Sequence, residues 1–130
     1  MIVPTVSAMA KKILLVDDNT TNLQVLFEAL APEGYELLVA QSGEQALETT
    51  AEIVPDMVLL DVKMPGIDGF ETFERIRAAE RTAQLPIVFL SAQANVEYIE
   101  RAKELGAEGY LTKPFQFDDV ITKVKEVLGD

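Results

Sequence analysis

Four short apolar runs in this chain each end on a group that can do chemistry. Ile13-Leu14-Leu15-Val16 leads into Asp17-Asp18, and Met57-Val58-Leu59-Leu60 into Asp61. Pro86-Ile87-Val88-Phe89-Leu90 leads into Ser91, and Gly109-Tyr110-Leu111-Thr112 into Lys113-Pro114. Three carboxylates, a hydroxyl and an ammonium are the groups needed to hold a divalent cation beside a phosphoryl group. Asp61 directly follows four apolar residues, so its carboxylate must be solvated, paired or bound to a cation. A carboxylate can also attack phosphorus to give an acyl phosphate, which makes Asp61 the candidate nucleophile. Lys113 and a cation would neutralise charge on the phosphoryl oxygens, and Ser91 would donate a hydrogen bond to one of them. Three crowded carboxylates repel unless something positive sits among them. An octahedral Mg²⁺ or Mn²⁺ that keeps some of its waters suits such a set.

Each of these residues also has a plain structural reading. Asp17 or Asp18 could cap the following helix, although Asn19 and Thr20 lie nearer its start. Ser91 could equally cap the helix ahead of residues 94–105, and Lys113 could simply be solvated. Pro114 permits a cis peptide that would aim Lys113 inward. In Met64-Pro65-Gly66-Ile67-Asp68-Gly69 the glycines allow close backbone approach, so a main-chain carbonyl near Lys63 could reach a metal.

The elements that would position these groups are legible as well. Short, β-branched, nearly continuous apolar runs read as strands buried on both faces, as parallel sheets require. Tyr35 to Ala40 supplies a fifth strand. Helical faces follow at Leu23, Leu26, Phe27 and Leu30, then at Ala46, Leu47 and Ala51 after a capping box at Ser42-Gly43-Glu44-Gln45. Phe70, Phe73 and Ile76 give the third face, and Val96, Ile99 and Ala102 the fourth. Phe117, Val120, Ile121, Val124 and Leu128 give the last. Five strands alternating with five helices imply a doubly wound α/β sheet with right-handed crossovers, whose ligands lie beyond the strands' carboxyl ends. The second strand ends on Gln41-Ser42, with no reactive group. The order 2-1-3-4-5 places that silent strand outside the site.

At 130 residues, 48% hydrophobic and 25% charged, the chain is one ordinary globular domain. A formal charge of -11 disfavours direct binding to nucleic acid or anionic membranes. The absence of cysteine and histidine excludes disulfides, thiolate and Ser-His-Asp catalysis, and His or Cys metal sites. No apolar stretch approaches a membrane span, and the start of the chain is no secretory signal, so a cytoplasmic protein is expected. Residues 1–10 are set apart as an N-terminal extension, with disorder, a docking role and a start at Met9 all open; residues 11–130 form the domain.

Taken jointly, Leu15-Val16-Asp17-Asp18-Asn19, Leu60-Asp61 with Met64-Pro65-Gly66-Ile67-Asp68-Gly69, Ser91-Ala92 and Tyr110-Leu111-Thr112-Lys113-Pro114-Phe115 resemble a bacterial response-regulator receiver domain. The resemblance runs from about Lys11 to Leu128 with every block in order. It implies the flavodoxin-like fold and phosphoryl transfer from a partner histidine kinase or phosphotransfer protein to Asp61. By the same resemblance Asp18, Asp61 and the Lys63 main-chain carbonyl bind Mg²⁺, with Asp17 acting largely through water. Ser91 and Tyr110 match the switch hydroxyl and aromatic; Tyr110 is otherwise a half-buried strand tyrosine. Helix four, strand five and helix five match the output surface. Lys63 and Gln93 stand where the family tunes the lifetime of the acyl phosphate.

The expected protein is thus a phospho-accepting switch that turns over no metabolite. A phosphohydrolase with an Asp nucleophile is the main alternative, but such enzymes carry a second Asp two residues on, where this chain has Thr20 and Lys63. A flavin or nucleotide carrier would need a Gly- or Ser/Thr-rich loop after strand one, and Asp17-Asp18-Asn19-Thr20-Thr21 is too acidic. A receiver working without phosphorylation would not need the full set of groups. A stand-alone regulator and a piece of a longer protein are both open.

Overall fold

The computed structural model describes residues 10–92 and 96–130. Five parallel strands are joined in the order β2-β1-β3-β4-β5. They are β1 (Lys12–Val16), β2 (Glu36–Ala40), β3 (Met57–Asp61), β4 (Ile87–Ser91) and β5 (Gly109–Thr112). The helices are α1 (Thr20–Leu30), α2 (Gly43–Glu52), α3 (Gly69–Ala78), α4 (Val96–Leu105) and α5 (Phe117–Leu128). The expected doubly wound, flavodoxin-like architecture is therefore the one observed.

Central strands carry the longest apolar runs because both of their faces are covered. Leu14, Val16, Val58, Leu60, Ile87 and Phe89 point to one side, packed with residues of α2, α3 and α4. Ile13, Leu15, Met57, Leu59, Val88 and Leu90 point to the other, packed with α1 and α5. This alternation is the two-residue period of a strand, and it brings β1, β3 and β4 to their ends in fixed register. Leu60 lies beside both Val16 and Phe89, and Asp61 lies beside Leu90.

Five details of the sequence reading are corrected. β5 is only half-buried and ends exposed at Thr112, because it is an edge strand with a neighbour on one side alone. Phe27 is 47% exposed while Ala29 is 2% exposed; the stripe of α1 centres between Leu26 and Leu30, leaving Phe27 about 90° off its axis. Val96 and Phe117, the first residues of α4 and α5, are 66% and 44% exposed and take no part in the buried faces of their helices. On α2 the buried residue is Thr50 rather than Ala51. The capping box at Ser42 forms in half: Ser42 Oγ accepts from the Gln45 N–H at 3.1 Å, but Gln45 Oε1 accepts from Gln41 N–H instead.

Candidate functional site

The carboxyl ends of β1, β3, β4 and β5 meet at one rim, and each chemical group is placed there by its strand. Asp17 follows β1, and its N–H donates to the Ala40 carbonyl of β2 at 3.2 Å. One carboxylate oxygen, Oδ1, accepts from the Asn19 N–H at 2.9 Å. Asn19 itself caps α1, its side chain accepting from the Asn22 N–H at 3.0 Å. Asp17 thus shapes the turn into the helix without capping it. The capping alternative is answered by Asn19.

Asp61 is the last residue of β3 and is 4% exposed. Lys113, just past β5, reaches across the rim. Its Nζ lies 2.9 Å from Asp61 Oδ1 and 2.9 Å from Asp17 Oδ2. Its backbone N–H donates to the Ser91 carbonyl at 2.6 Å, which fixes the end of β5 against β4. The Lys113–Pro114 peptide is cis. Asp17, Asp18 and Asp61 each present one oxygen, all within 4.8 Å of one another; Asp17 and Asp61 are buried and Asp18 is exposed.

The electrostatics follow from this crowding. Burial is the main reason that the Asp61 carboxyl is pushed up to about 6; the Asp17 charge adds to the rise and the Lys113 bond opposes it. For Lys113 burial works downward, but its bonds to Asp17 and Asp61 outweigh it and the ammonium is held above its usual range. Asp17 Oδ2 has the ammonium beside it, yet it is fully buried with no well-formed hydrogen bond. At 2.9 Å the ion pair compensates that oxygen, and what a cation would relieve is the crowding of three carboxylates around one ammonium. Three carboxylates crowded around a single ammonium, with no nitrogen or sulfur donor among them, make up a set that fits a hard divalent cation.

These groups line a cavity of about 330 Å³, along with Ser91 and the Lys63 side chain. Ser91 is 5% exposed at the end of β4. The Lys63 ammonium stands over the Tyr98 ring, 5.9 Å from its centroid. Between Asp61 and α3 the chain passes close to itself. A Cβ on Gly69 would lie 2.2 Å from the Asp61 carbonyl oxygen, so only glycine fits there. The Gly69 N–H donates to the Val62 carbonyl at 2.7 Å, and Asp68 caps α3 by accepting from the Glu71 N–H at 2.8 Å.

The structure thus brings together Asp17, Asp18, Asp61, Lys63, Ser91 and Lys113. Tyr110 stands apart from that cavity. It lies beside Phe89 in the β4–β5 register, half-buried, and packs on the α3–α4 side of the sheet. Gln93 lies outside the described residues, as do residues 1–9 of the N-terminal extension. Asn19 and Ala92, named in the sequence only as a cap and within a motif, also line the cavity, as do Asn22 and Tyr98, which were not singled out from the sequence. Asn22 had a readable signal, a polar residue in the first turn of α1. Tyr98 had none, since the face read for α4 ran through Val96, Ile99 and Ala102.

Comparison with known proteins agrees with this geometry. The response regulator receiver domain family matches residues 13–125. Sporulation initiation phosphotransferase F of Bacillus subtilis is 37% identical over 120 residues, covering 92% of this chain and 95% of that protein. The phosphate regulon transcriptional regulatory protein PhoB of Pseudomonas aeruginosa is 35% identical over 92% of this chain, but over only 52% of its own length. Among solved structures, the chemotaxis response regulator CheY4 of Vibrio cholerae superposes with a TM-score of 0.87 at 31% identity, covering 92% of this chain and all of that one.

Proposed function

Because the chain belongs to the response regulator receiver domain family, and so to two-component signalling, we propose that it is a phospho-accepting switch with Asp61 as acceptor. The observation that carries the reading is the single ammonium of Lys113 held 2.9 Å from both buried carboxylates. The donor is a phosphohistidine on a partner histidine kinase or phosphotransfer protein. An Asp61 oxygen attacks phosphorus, the P–O bond forms as the P–N bond breaks, and the imidazole leaves with the bonding pair and takes up a proton. Lys113 neutralises the phosphoryl oxygens as the charge on Asp61 is spent in the new bond. Ser91 donates its hydroxyl to a phosphoryl oxygen. Asp17, Asp18, Asp61 and the Lys63 main-chain carbonyl would hold Mg²⁺ or Mn²⁺. Bound there, the cation supplies charge neutralisation for the transferring group.

The protein catalyses only its own phosphorylation and dephosphorylation, and no metabolite is turned over. Signal leaves through the α4, β5 and α5 face, with Ser91 and Tyr110 moving together. Packing supports α4 as the part that moves: Ala102 is its buried residue, whereas α3 buries Gly69, Phe70, Thr72, Phe73 and Ile76. Elements with few buried contacts open at the lowest cost. The next link is a downstream output protein or domain, as the PhoB relative suggests by its greater length. Direct binding to nucleic acid or membrane is not part of this reading. No helix among the described residues is long and apolar enough to cross a membrane, and we place the protein in the cytoplasm.

The test uses acetyl phosphate with Mg²⁺ and intact-mass detection. Wild type is expected to gain one phosphoryl group and Asp61→Asn none. Stoichiometric labelling of Asp61→Asn would refute the assignment, and Asp18→Ala is expected to need more Mg²⁺ for the same labelling.

A further inference from the structure

The loop between Asp61 and α3 is pinned at two places, and one of the pins comes from an element with no assigned role in the site. At its far end the Gly69 N–H donates to the Val62 carbonyl at 2.7 Å. In its middle the Ile67 N–H donates to Glu44 Oε2 at 3.3 Å. Glu44 belongs to the first turn of α2, which follows the chemically silent strand β2. The contact is built closely on both sides. A Cβ on Gly66, whose φ is +80, would lie 2.7 Å from that same Oε2. A Cβ on Gly43 would lie 2.2 Å from Thr72 Oγ1 and 2.6 Å from Ile67 Cγ1. At Gly43 the start of α2 therefore meets the Ile67 and Thr72 side chains with hydrogen alone between them, and at Gly66 the loop meets the carboxylate end of Glu44.

We propose that Glu44 is a positioning residue for the Asp61–Gly69 loop, fixing the main chain at Lys63 so that the acidic rim is preformed for its cation. The inference rests on the functional reading above, since it assigns Glu44 a role only if the rim holds a divalent cation. Glu44 touches neither cation nor phosphoryl group; it acts through the Ile67 N–H. A loop released from one of two pins samples more conformations, and the cation must then pay the ordering entropy. Groups that orient ligands from outside typically change metal affinity about 10- to 100-fold. The long, exposed Glu44 contact belongs at the low end.

Isothermal titration with Mg²⁺ alone, on wild type, Glu44→Ala, Glu44→Gln and Asp18→Ala, tests this. Glu44→Ala is expected to weaken Mg²⁺ roughly 10-fold. Glu44→Gln keeps an acceptor oxygen for Ile67 and is expected to stay within about 2-fold of wild type, as the charge of Glu44 is exposed and outside the cavity lining, where solvent screens it. Both variants lose the same charge at the α2 N-terminus, so their difference isolates the hydrogen bond. Equal affinity of Glu44→Ala and wild type overturns the proposal. So does equal weakening by Gln and Ala, which would make Glu44 a charge rather than a clamp. If wild type binds Mg²⁺ no better than Asp18→Ala, the functional reading itself fails. Thermal unfolding of each variant without metal guards against misfolding, and a wild-type Tm with weakened Mg²⁺ binding is the result that supports the clamp.

Discussion

Replacing Asp61 by asparagine should make the metal-free protein more stable, although it removes the proposed acceptor and an ion pair. Asp61 is 4% exposed, and its carboxyl titrates at about 6 rather than near 3.8, chiefly through burial. A folded-state pKa raised above the unfolded value means that the native state holds the proton through a range where the unfolded chain has already lost it. The contribution of this group to stability is therefore greatest in acid and falls as pH rises from about 4 to 6. Above that window the ionised carboxylate costs roughly 3 kcal/mol, the two-unit shift at about 1.4 kcal/mol per unit. By pH 5 roughly half of that cost has gone. Asparagine matches the shape, does not ionise and can still accept from Lys113. Allowing for the weaker bond, we expect a gain of about 1–3 kcal/mol at pH 7.5 in EDTA, or roughly 4–12 °C in Tm. Circular dichroism melts of both proteins in EDTA from pH 5 to 8 measure it. Added Mg²⁺ at 100 times its Kd should return about 2.7 kcal/mol to wild type and little to the variant, closing the gap. Destabilisation by Asp61→Asn at pH 7.5, or an advantage that does not shrink toward pH 5, would show that burial and crowding do not set the energetics of this rim.

Two further outcomes follow from placement. Lys63 lines the cavity, with its ammonium over Tyr98, where we expect it to obstruct water approaching the proposed acyl phosphate. If the side chain adds about 1 kcal/mol to the hydrolytic barrier, phosphate loss from Lys63→Ala runs roughly fivefold faster than from wild type; equal rates of release from the labelled proteins sink the idea. On α1, Leu26 is fully buried while its neighbour Phe27 is 47% exposed. Urea unfolding is expected to show a loss of about 2–5 kcal/mol for Leu26→Ala and under about 1 kcal/mol for Phe27→Ala. The reverse order would restore the helical face read from the sequence.

What the sequence disclosed, and what it hid, divides along physical lines. Strands β1, β3 and β4 were legible because two covered faces demand unbroken apolar runs, and their ends stood out as the first polar groups after them. The strand order was legible through β2, whose end at Gln41-Ser42 carries nothing the rim needs. The half-burial of β5 was not drawn from it: Gly109-Tyr110-Leu111-Thr112 was read as covered on both faces, although the order 2-1-3-4-5 leaves that strand a neighbour on one side alone. Helix faces were right in their central residues and wrong at their flanks, where one step of 100° decides exposure. Tyr98 and Glu44 left no pattern at all. Each matters through a contact between segments distant in sequence, Tyr98 with Lys63 and Glu44 with Ile67.

Those two contacts also say how the rim is tied to the rest of the molecule. A ring stack runs from the cavity into the core: Tyr98 meets Phe70 edge-on at 5.7 Å, and Phe70 meets Phe89 at 5.0 Å. Phe89 is the register neighbour of Tyr110 on β5. Rearrangement at the rim that displaces Lys63 or Ser91 therefore bears on the two tyrosines of the α4–β5 side through packed aromatic surface. The opposite side is held differently. There the loop is clamped by Glu44 and by backbone bonds to Val62, with α3 buried along its length. Charge at the rim thus acts between one wall that is fixed and one that is loosely packed. On the proposed function, a change in charge at Asp61 is expected to be answered by the wall that costs less to move, which is α4.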